Sequence, residues 1–357
     1  MNSTTEVNHE KLMELFGNVF NDVAGSMAIM MSYLGDQTGA YRAMDKLGPA
    51  TAEEIAKESN VDERYLLEWL SSNAGRGYVT YHDDTNQFSL SPEQAAVFAR
   101  ENEPTCIQGL VQGVVGQFVK EDVAVEVFKT GRGRPWGEHH ECCFCGTERF
   151  FRPAYAGHLL DEWIPAMEGV EDKLKKGAKV ADIGCGLGTS SMLMAEQYPN
   201  STIHAFDFHG PSIEEAKKRA AEKGLSNLEF FVSDAAAIPK ESYDLACIFD
   251  AWHDMGDPVG VAKAIKDTLA DDGTFMVVEP MALDGLKNNI DNNPSAAMFY
   301  GFGTLICVPA SKAQHVGLGL GPQAGPKKLM GLLSEAGFSS VNLAAETTSN
   351  LVFQANN

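Results

Sequence analysis

The sequence predicts an α/β fold, an open and doubly wound sheet, preceded by a mainly helical N-terminal domain. Two observations carry this. From about residue 175, short β-rich runs (KVADIG, STIHAFD, LEFFVSD, YDLACIFD, GTFMVVEP) alternate with helical runs (SSMLMAEQY, SIEEAKKRAAEKG, VGVAKAIKDTLA, KKLMGLLSEAGF). That alternation is the pattern of a parallel sheet wrapped by helices. Before residue 100 the chain reads as helices that close in a strand–turn–strand unit. At 357 residues, 44% hydrophobic and 22% charged, it has the length and apolar content for two packed domains.

In chain order, Leu12, Phe16, Val19, Val23, Met27, Met31 and Leu34 recur at three-to-four spacing, one apolar stripe of a long helix. Such a stripe packs in a core or a dimer interface. Thr51 with Glu54 makes a capping box that starts a short helix through Ser59, and Asp62 caps a second helix running to about Asn73. Gly75 and Gly77 break it, and YVTYH, DDTN and QFSL then read as strand, turn and strand. Helix, turn, helix and hairpin together make a winged helix. Residues 101–174 read as a helical linker and substrate-covering segment, interrupted by the turn TGRGRPWGEHHECCFCG. The expected boundaries are therefore 1–100, 101–174 and 175–357. Within the last, residues 281–326 are rich in Gly, Asn and Pro and long for a connection, which marks a lid or binding element.

Charge excludes some functions. Acidic residues outnumber basic ones 49 to 28, giving a net charge of −21 and a pI near 4.8. Residues 1–100 carry seven Lys/Arg against fifteen Asp/Glu, and the second helix of the winged motif opens with Asp62 and Glu63. These would face phosphates, so no nucleic-acid partner is expected, and the winged helix is assigned to dimerisation or to covering a substrate. MNSTTEVNHEKLMELF has no basic segment followed by an apolar run, and no apolar stretch approaches the roughly 18 residues of a membrane span. Seven cysteines, four of them scattered (Cys106, Cys185, Cys247, Cys307), do not form a disulfide framework. A cytoplasmic location with no membrane partner is the expectation.

The chemistry gathers after the first strand of the α/β region. KVADI runs into GCGLGTS, and Gly184, Gly186 and Gly188 let the backbone turn tightly and approach a ligand where a Cβ would collide. Asp182 stands two residues ahead of the first glycine. A dinucleotide fingerprint needs glycine at position 189, where this chain has Thr189, which argues against NAD or FAD. Acidic residues then close four strands at the ligand-binding edge of a parallel sheet. Asp207, nineteen residues past Gly188, can accept both hydroxyls of a ribose, and Asp234 is placed to reach an adenine amino group. Asp250 and Glu279 end the fourth and fifth strands. Any one of these is ordinarily a helix cap, but the ordered set points to a nucleoside.

VADIGCGLGTS, HAFDF, VSDAAAIP and FDAWHDMGDP together resemble the class I S-adenosylmethionine-dependent methyltransferases, a Rossmann-like fold, over about residues 175–357. The closing SEAGFSSVNLAAETTSNLVFQA looks like that fold's last helix and terminal antiparallel hairpin. With the winged helix in front, the chain is similar to two-domain small-molecule methyltransferases, and a homodimer through the N-terminal domain is expected. The resemblance implies S-adenosylmethionine as cofactor and a small molecule as acceptor. It places Asp182, Gly184, Gly186 and Gly188 at the methionine moiety, Asp207 at the ribose and Asp234 at the adenine, with Phe208, Ala235 and Asp250 in the same cofactor site. In the plant-type enzymes a histidine at the place of His253 deprotonates an acceptor hydroxyl. Glu279, on the neighbouring strand, would hold that imidazole in the right tautomer. Met255 departs from the tryptophan favoured there. The expected function is methyl transfer to a hydroxyl with His253 as general base. The alternatives are S- or N-methyl transfer working mainly by positioning, and a winged-helix regulator that senses the cofactor.

HHECCFCG, residues 139–146, crowds two histidines, a glutamate and three cysteines into one turn. Structural zinc usually takes two ligand pairs held apart by a spacer, and neighbouring side chains on so short a segment cannot all converge on one ion. These are expected to be pocket-lining or loop residues, with no metal bound.

Overall fold

The computed structural model describes residues 7–357; residues 1–6, the first of the expected N-terminal domain, lie outside the described residues. The chain forms two compact units. One contains the residues up to Phe118 together with Glu141–Pro153, the other Val119–His140 and Ala154–Asn357. The segment between the winged helix and the α/β region is thus divided between both.

In the first unit the predicted long helix is His9–Thr38, started by Asn8, whose side chain accepts from Lys11 N at 3.1 Å, and ended by Gly39 at φ 77°. Thirty residues make it about 45 Å long. Its buried residues are confined to Ala28, Ser32, Gly35 and Asp36, while the predicted stripe stays largely exposed: Phe16 is 62%, Val23 59% and Met27 58% accessible. The capping box of Thr51 and Glu54 starts Ala52–Ser59, and Asp62 caps Glu63–Gly75. That helix runs through Gly75, and the break falls at Gly77, φ 74°. Strands β1 (Thr80–His82) and β2 (Gln87–Ser89) pair antiparallel with Tyr81 opposite Phe88, completing the winged motif. Tyr41, Met44, Ile55, Leu70 and Phe98 form the core, in which Tyr41 Oη donates to Asn73 at 2.7 Å.

The second unit holds a seven-stranded sheet of β3 (Lys179–Ile183), β4 (Thr202–Asp207), β5 (Leu228–Val232), β6 (Tyr243–Phe249), β7 (Leu269–Pro280), β8 (Ser340–Glu346) and β9 (Asn350–Asn356). Their order is β5-β4-β3-β6-β7-β9-β8. The first five strands run parallel, and β9 pairs antiparallel with both β7 and β8. All the predicted strand runs lie on this sheet. β7 begins earlier than GTFMVVEP, and its register against β6 shifts between Tyr243 and Leu245. Ile183, Phe206, Ile248, Trp252, Phe275 and Phe353 share one buried cluster, each side chain contributing roughly 1.5–3 kcal/mol by leaving water. The strand order reverses between the adjacent strands β3 and β6, so their C-terminal ends open the crevice where such sheets bind ligands.

Residues 281–326 are more ordered than their composition suggests. They fold into the helices Leu286–Asn292 and Ala296–Phe302, a π turn Gly303–Cys307 and the helix Val308–Lys312. Asn289 ties the entry down by accepting from Leu283 N at 2.8 Å and donating to Leu283 O at 2.6 Å, so a polar residue here builds structure. Among the described residues no helix is long and apolar enough to cross a membrane.

Candidate functional site

The turn after β3 is held by backbone bonds: Gly184 N and Cys185 N both donate to Phe206 O, at 2.8 and 3.1 Å. Gly184, Gly186 and Gly188 all have positive φ, 73°, 54° and 78°, where other residues are strained. At Gly188 a Cβ would also lie 2.7 Å from the Phe230 ring, whereas at Gly186 it would enter open space. The loop therefore presents bare backbone on one side and close packing on the other.

Asp182 is wholly buried beneath this turn, its Oδ2 accepting from Ser190 Oγ at 2.7 Å and Ser191 Oγ at 2.5 Å. Its Oδ1 is buried without a hydrogen-bond partner among the described residues. Burial raises its pKa from 3.8 to about 6, against the opposing pull of the two serines. Asp207 is half-buried, accepting from Gly186 N at 2.9 Å and His209 N at 2.8 Å, one on each oxygen. Burial raises its pKa as well. A carboxylate has about four lone-pair positions, so two remain for a ligand. Phe208 is 58% exposed beside it. Asp234 is exposed and caps the short turn Ala235–Ala237, accepting from Ala236 N at 2.8 Å.

Asp250 follows β6 in a left-handed conformation, φ 49°, uncommon for a residue with a side chain. Tyr155 Oη donates to its Oδ2 at 2.8 Å and Asn350 Nδ2 to its Oδ1 at 2.9 Å. Burial, then the charge of Glu279, hold its carboxyl well above the usual range. Ala251 next touches the glycine turn, its Cβ 3.2 Å from where a Cβ of Gly184 would stand. This contact joins the glycine loop to the segment that carries His253.

His253 is 3% and Glu279 1% exposed. Glu279 Oε1 accepts from the backbone of Trp252 at 3.0 Å and of His253 at 3.2 Å, and its Oε2 accepts from His253 Nδ1 at 2.5 Å. One carboxylate thus fixes both the turn and the ring. On the other side, Nε2 lies 3.1 Å from Asp254 Oδ1. Burial by itself lowers the histidine pKa, but Glu279 and Asp254 outweigh it and hold the value well above the usual 6.5. Cys307 completes the cluster, its sulfur within 4.8 Å of the His253 and Asp254 donor atoms. Ser311 Oγ donates to Met255 O at 2.8 Å and Gln314 Nε2 to Asp254 O at 2.8 Å, so the segment after Cys307 pins the histidine turn.

Sequence reasoning missed Cys307, which stood among the scattered cysteines, and the partners Tyr155, Asn350, Ser190 and Ser191. Only Asp254, inside WHDMGDP, had a local signal. From Glu141 the HHECCFCG run is the start of the helix Glu141–His158, and not the loop expected, with Cys142 and Cys143 buried and Cys145 exposed. His139 precedes it, buried, and burial lowers its pKa to about 4.

A glycine turn at the switch point of a sheet ordered in this way, followed by acidic strand ends, is the arrangement of a Rossmann-like domain. Residues 174–337 match the methyltransferase-domain family, and residues 25–100 match the Rv2258c-like winged HTH domain. The chain therefore carries a methyltransferase domain behind a winged-helix domain. It is 33% identical over 108 residues to aklanonic acid methyltransferase DauC of Streptomyces sp. (strain C5), covering 29% of this chain and 49% of that protein. It is 32% identical over 105 residues to the ubiquinone biosynthesis O-methyltransferase of Actinobacillus pleuropneumoniae, covering 28% and 44%. The chain thus spans about half the length of the curated relatives it matches. Among solved structures, mitomycin 7-O-methyltransferase MmcR superposes with TM-score 0.70 at 15% identity, over 98% of this chain and 100% of that one. Human N-acetylserotonin methyltransferase gives 0.68 at 16%, over 99% of each. At such identities the fold is what is shared.

Proposed function

We propose that this protein is an S-adenosylmethionine-dependent methyltransferase that methylates a small-molecule hydroxyl, with His253 as general base. The observation that carries the reading is the His253–Glu279 pair, buried at the sheet edge and joined through Ala251 to the glycine turn. The residues present fit the cofactor. Gly186 offers bare backbone, Asp182 a buried acceptor without a partner among the described residues, and Asp207 two spare lone pairs. Phe208, Asp234, Ala235 and Asp250 are assigned to the same site, Asp234 through the oxygen that its turn leaves over. When bound, the cofactor supplies an electrophilic methyl group on a sulfonium.

The chain's own work is to bind, orient and move one proton. Glu279 holds Nδ1, and its carboxylate with that of Asp254 favours a resting proton on Nε2, so that proton leaves and Asp254 gives way before Nε2 takes the proton of the acceptor hydroxyl. The two carboxylates stabilise the imidazolium that this transfer creates. Binding of S-adenosylmethionine, measured by calorimetry on the full chain, tests the cofactor; no saturable heat would remove the reading. A second reading, transfer to sulfur or nitrogen by positioning, is favoured by Asp254 lying beside Nε2, since an attacking thioether needs no base. The relatives' names support small-molecule acceptors: DauC is named for aklanonic acid and MmcR for mitomycin.

The working unit is a homodimer through the N-terminal domain. Phe16, Val19, Phe20 and Val23 stand more than half exposed on the helix His9–Thr38, an apolar face that a second copy of the same helix would cover. The acidic winged helix supports the absence of a nucleic-acid partner, and the scattered Cys106, Cys185, Cys247 and Cys307, which make no disulfide framework, support a cytoplasmic location.

A further inference from the structure

We propose that His253, Asp254 and Cys307 form a binding site for one thiophilic divalent cation of the zinc class. Their donor atoms, one nitrogen, one oxygen and one sulfur, all lie within 4.8 Å of one another, and His253 and Cys307 are buried. Glu279 engages Nδ1 at 2.5 Å, which leaves Nε2 as the ligand and sets up the carboxylate–histidine–metal order found behind protein zinc ions. Asp254 Oδ1, itself buried, lies 3.1 Å from Nε2, the separation of two ligands on one ion. Cys307 is positioned by the π turn it ends, and the segment that follows is bonded to the backbone of Met255 through Ser311 and of Asp254 through Gln314.

The donor set selects the metal. Magnesium and calcium take six or more oxygens, whereas a thiolate with an imidazole and one carboxylate suits zinc or cobalt. Three protein ligands leave a fourth position for water. Binding is a balanced exchange: the cation enters, the Cys307 thiol proton leaves, and so does any proton on Nε2. Occupancy itself does not depend on the methyltransferase reading. Its consequence does: the metal takes the lone pair that a base at Nε2 needs, so the cation would switch the enzyme off.

Cobalt(II) titration of the full chain after chelator treatment tests the site. One equivalent is expected to give visible tetrahedral bands and a near-ultraviolet thiolate-to-cobalt charge-transfer band. Cys307→Ser should abolish the charge-transfer band, and Cys145→Ser, at an exposed cysteine elsewhere, should leave it. Asp254→Asn should weaken cobalt binding, and Glu279→Gln should weaken it by about 10–100-fold. Absence of saturable bands at micromolar cobalt, or bands unchanged in both Cys307→Ser and Asp254→Asn, would overturn the proposal. Calorimetry with S-adenosylmethionine on the same samples separates the two readings. Cobalt bands without cofactor binding leave the metal site standing and remove the methyltransferase reading, and the converse removes only the metal site.

Discussion

In the N-terminal unit, the buried carboxylate of Asp36 and the half-buried one of Glu101 are held by arginines: Arg149 bridges both, Arg42 reaches Asp36 at 3.2 Å and Arg152 reaches Glu101 at 2.5 Å. Arg149 donates to Asp36 at 2.8 Å, to Glu101 at 2.6 and 2.7 Å, and to Gln112 at 2.6 Å. In the C-terminal unit the buried carboxylates are met by weaker partners. Asp182 has two serine hydroxyls, Asp250 a tyrosine and an asparagine, and Glu279 an imidazole and two backbone amides. An arginine is charged at every accessible pH, so the first arrangement is permanent and serves the fold. Hydroxyls, amides and a histidine leave the second set of carboxyls sensitive to protons and ligands. Asp182 and Asp250 both lie above the usual carboxylate range, mainly through burial. Groups of that kind gather where chemistry is done.

Five substitutions test this contrast. The largest effect is expected at His253. With a hydroxyl acceptor, His253→Ala should lower kcat by about 10²–10⁴-fold and leave cofactor affinity nearly unchanged. Glu279→Gln should reproduce part of that loss. Near-normal turnover of a folded His253→Ala enzyme would shift the assignment to catalysis by positioning.

Next comes Arg149→Ala, which removes the cation that bridges Asp36 and Glu101 and leaves each with a single, more exposed arginine, Arg42 for Asp36 and Arg152 for Glu101. A loss of about 3 kcal/mol in denaturant unfolding is expected, the lower end of the range for removing one partner of a buried pair, because Arg42 and Arg152 remain. An unchanged midpoint would deny the arginine its structural role.

Asp182 tests the other half of the comparison through pH. The folded chain holds its proton more tightly than the unfolded chain, about 6 against 3.8. Its protonated form therefore favours folding below pH 3.8, and that contribution is lost as pH rises through about 6, an effect on the order of 3 kcal/mol. Asp207 adds to the shift through its charge. Asp182→Asn should remove this component, so the stability of the parent relative to the variant should fall between those two pH values. Parallel stability curves across that range would contradict the burial argument.

The smallest effect is expected at Asp207. Because its carboxylate is the proposed acceptor for the ribose hydroxyls, Asp207→Ala should weaken S-adenosylmethionine binding by roughly 1.5–3 kcal/mol. Unchanged affinity by calorimetry in a folded variant would take the nucleoside away from this residue.

The features legible in the amino-acid sequence are those that local rules encode. Thr51 and Glu54, Asp62, and the hairpin around DDTN announce their elements through caps and turn residues within four positions of one another. The alternation of strands with helices, the turn at Gly184 to Gly188 and the acidic strand ends are likewise local, because a parallel sheet repeats one unit and puts its ligand edge at the same point of each. The pair His253 and Glu279 is foreseeable because both end strands that the fold sets side by side.

Tertiary structure alone decided the rest. No spacing rule links Cys307 to His253, Tyr155 and Asn350 to Asp250, or Arg149 to Asp36. Those contacts join residues 54, 95, 100 and 113 positions apart. Composition also misdirects: HHECCFCG is the densest run of reactive side chains to the eye, yet from Glu141 it is the beginning of a helix, while the ligand-like cluster uses one cysteine from a π turn. Periodicity and capping act between neighbours and so survive in the sequence. Burial, pairing and proton affinity depend on which distant side chains the packed core brings within a few ångströms, and only the folded chain contains that.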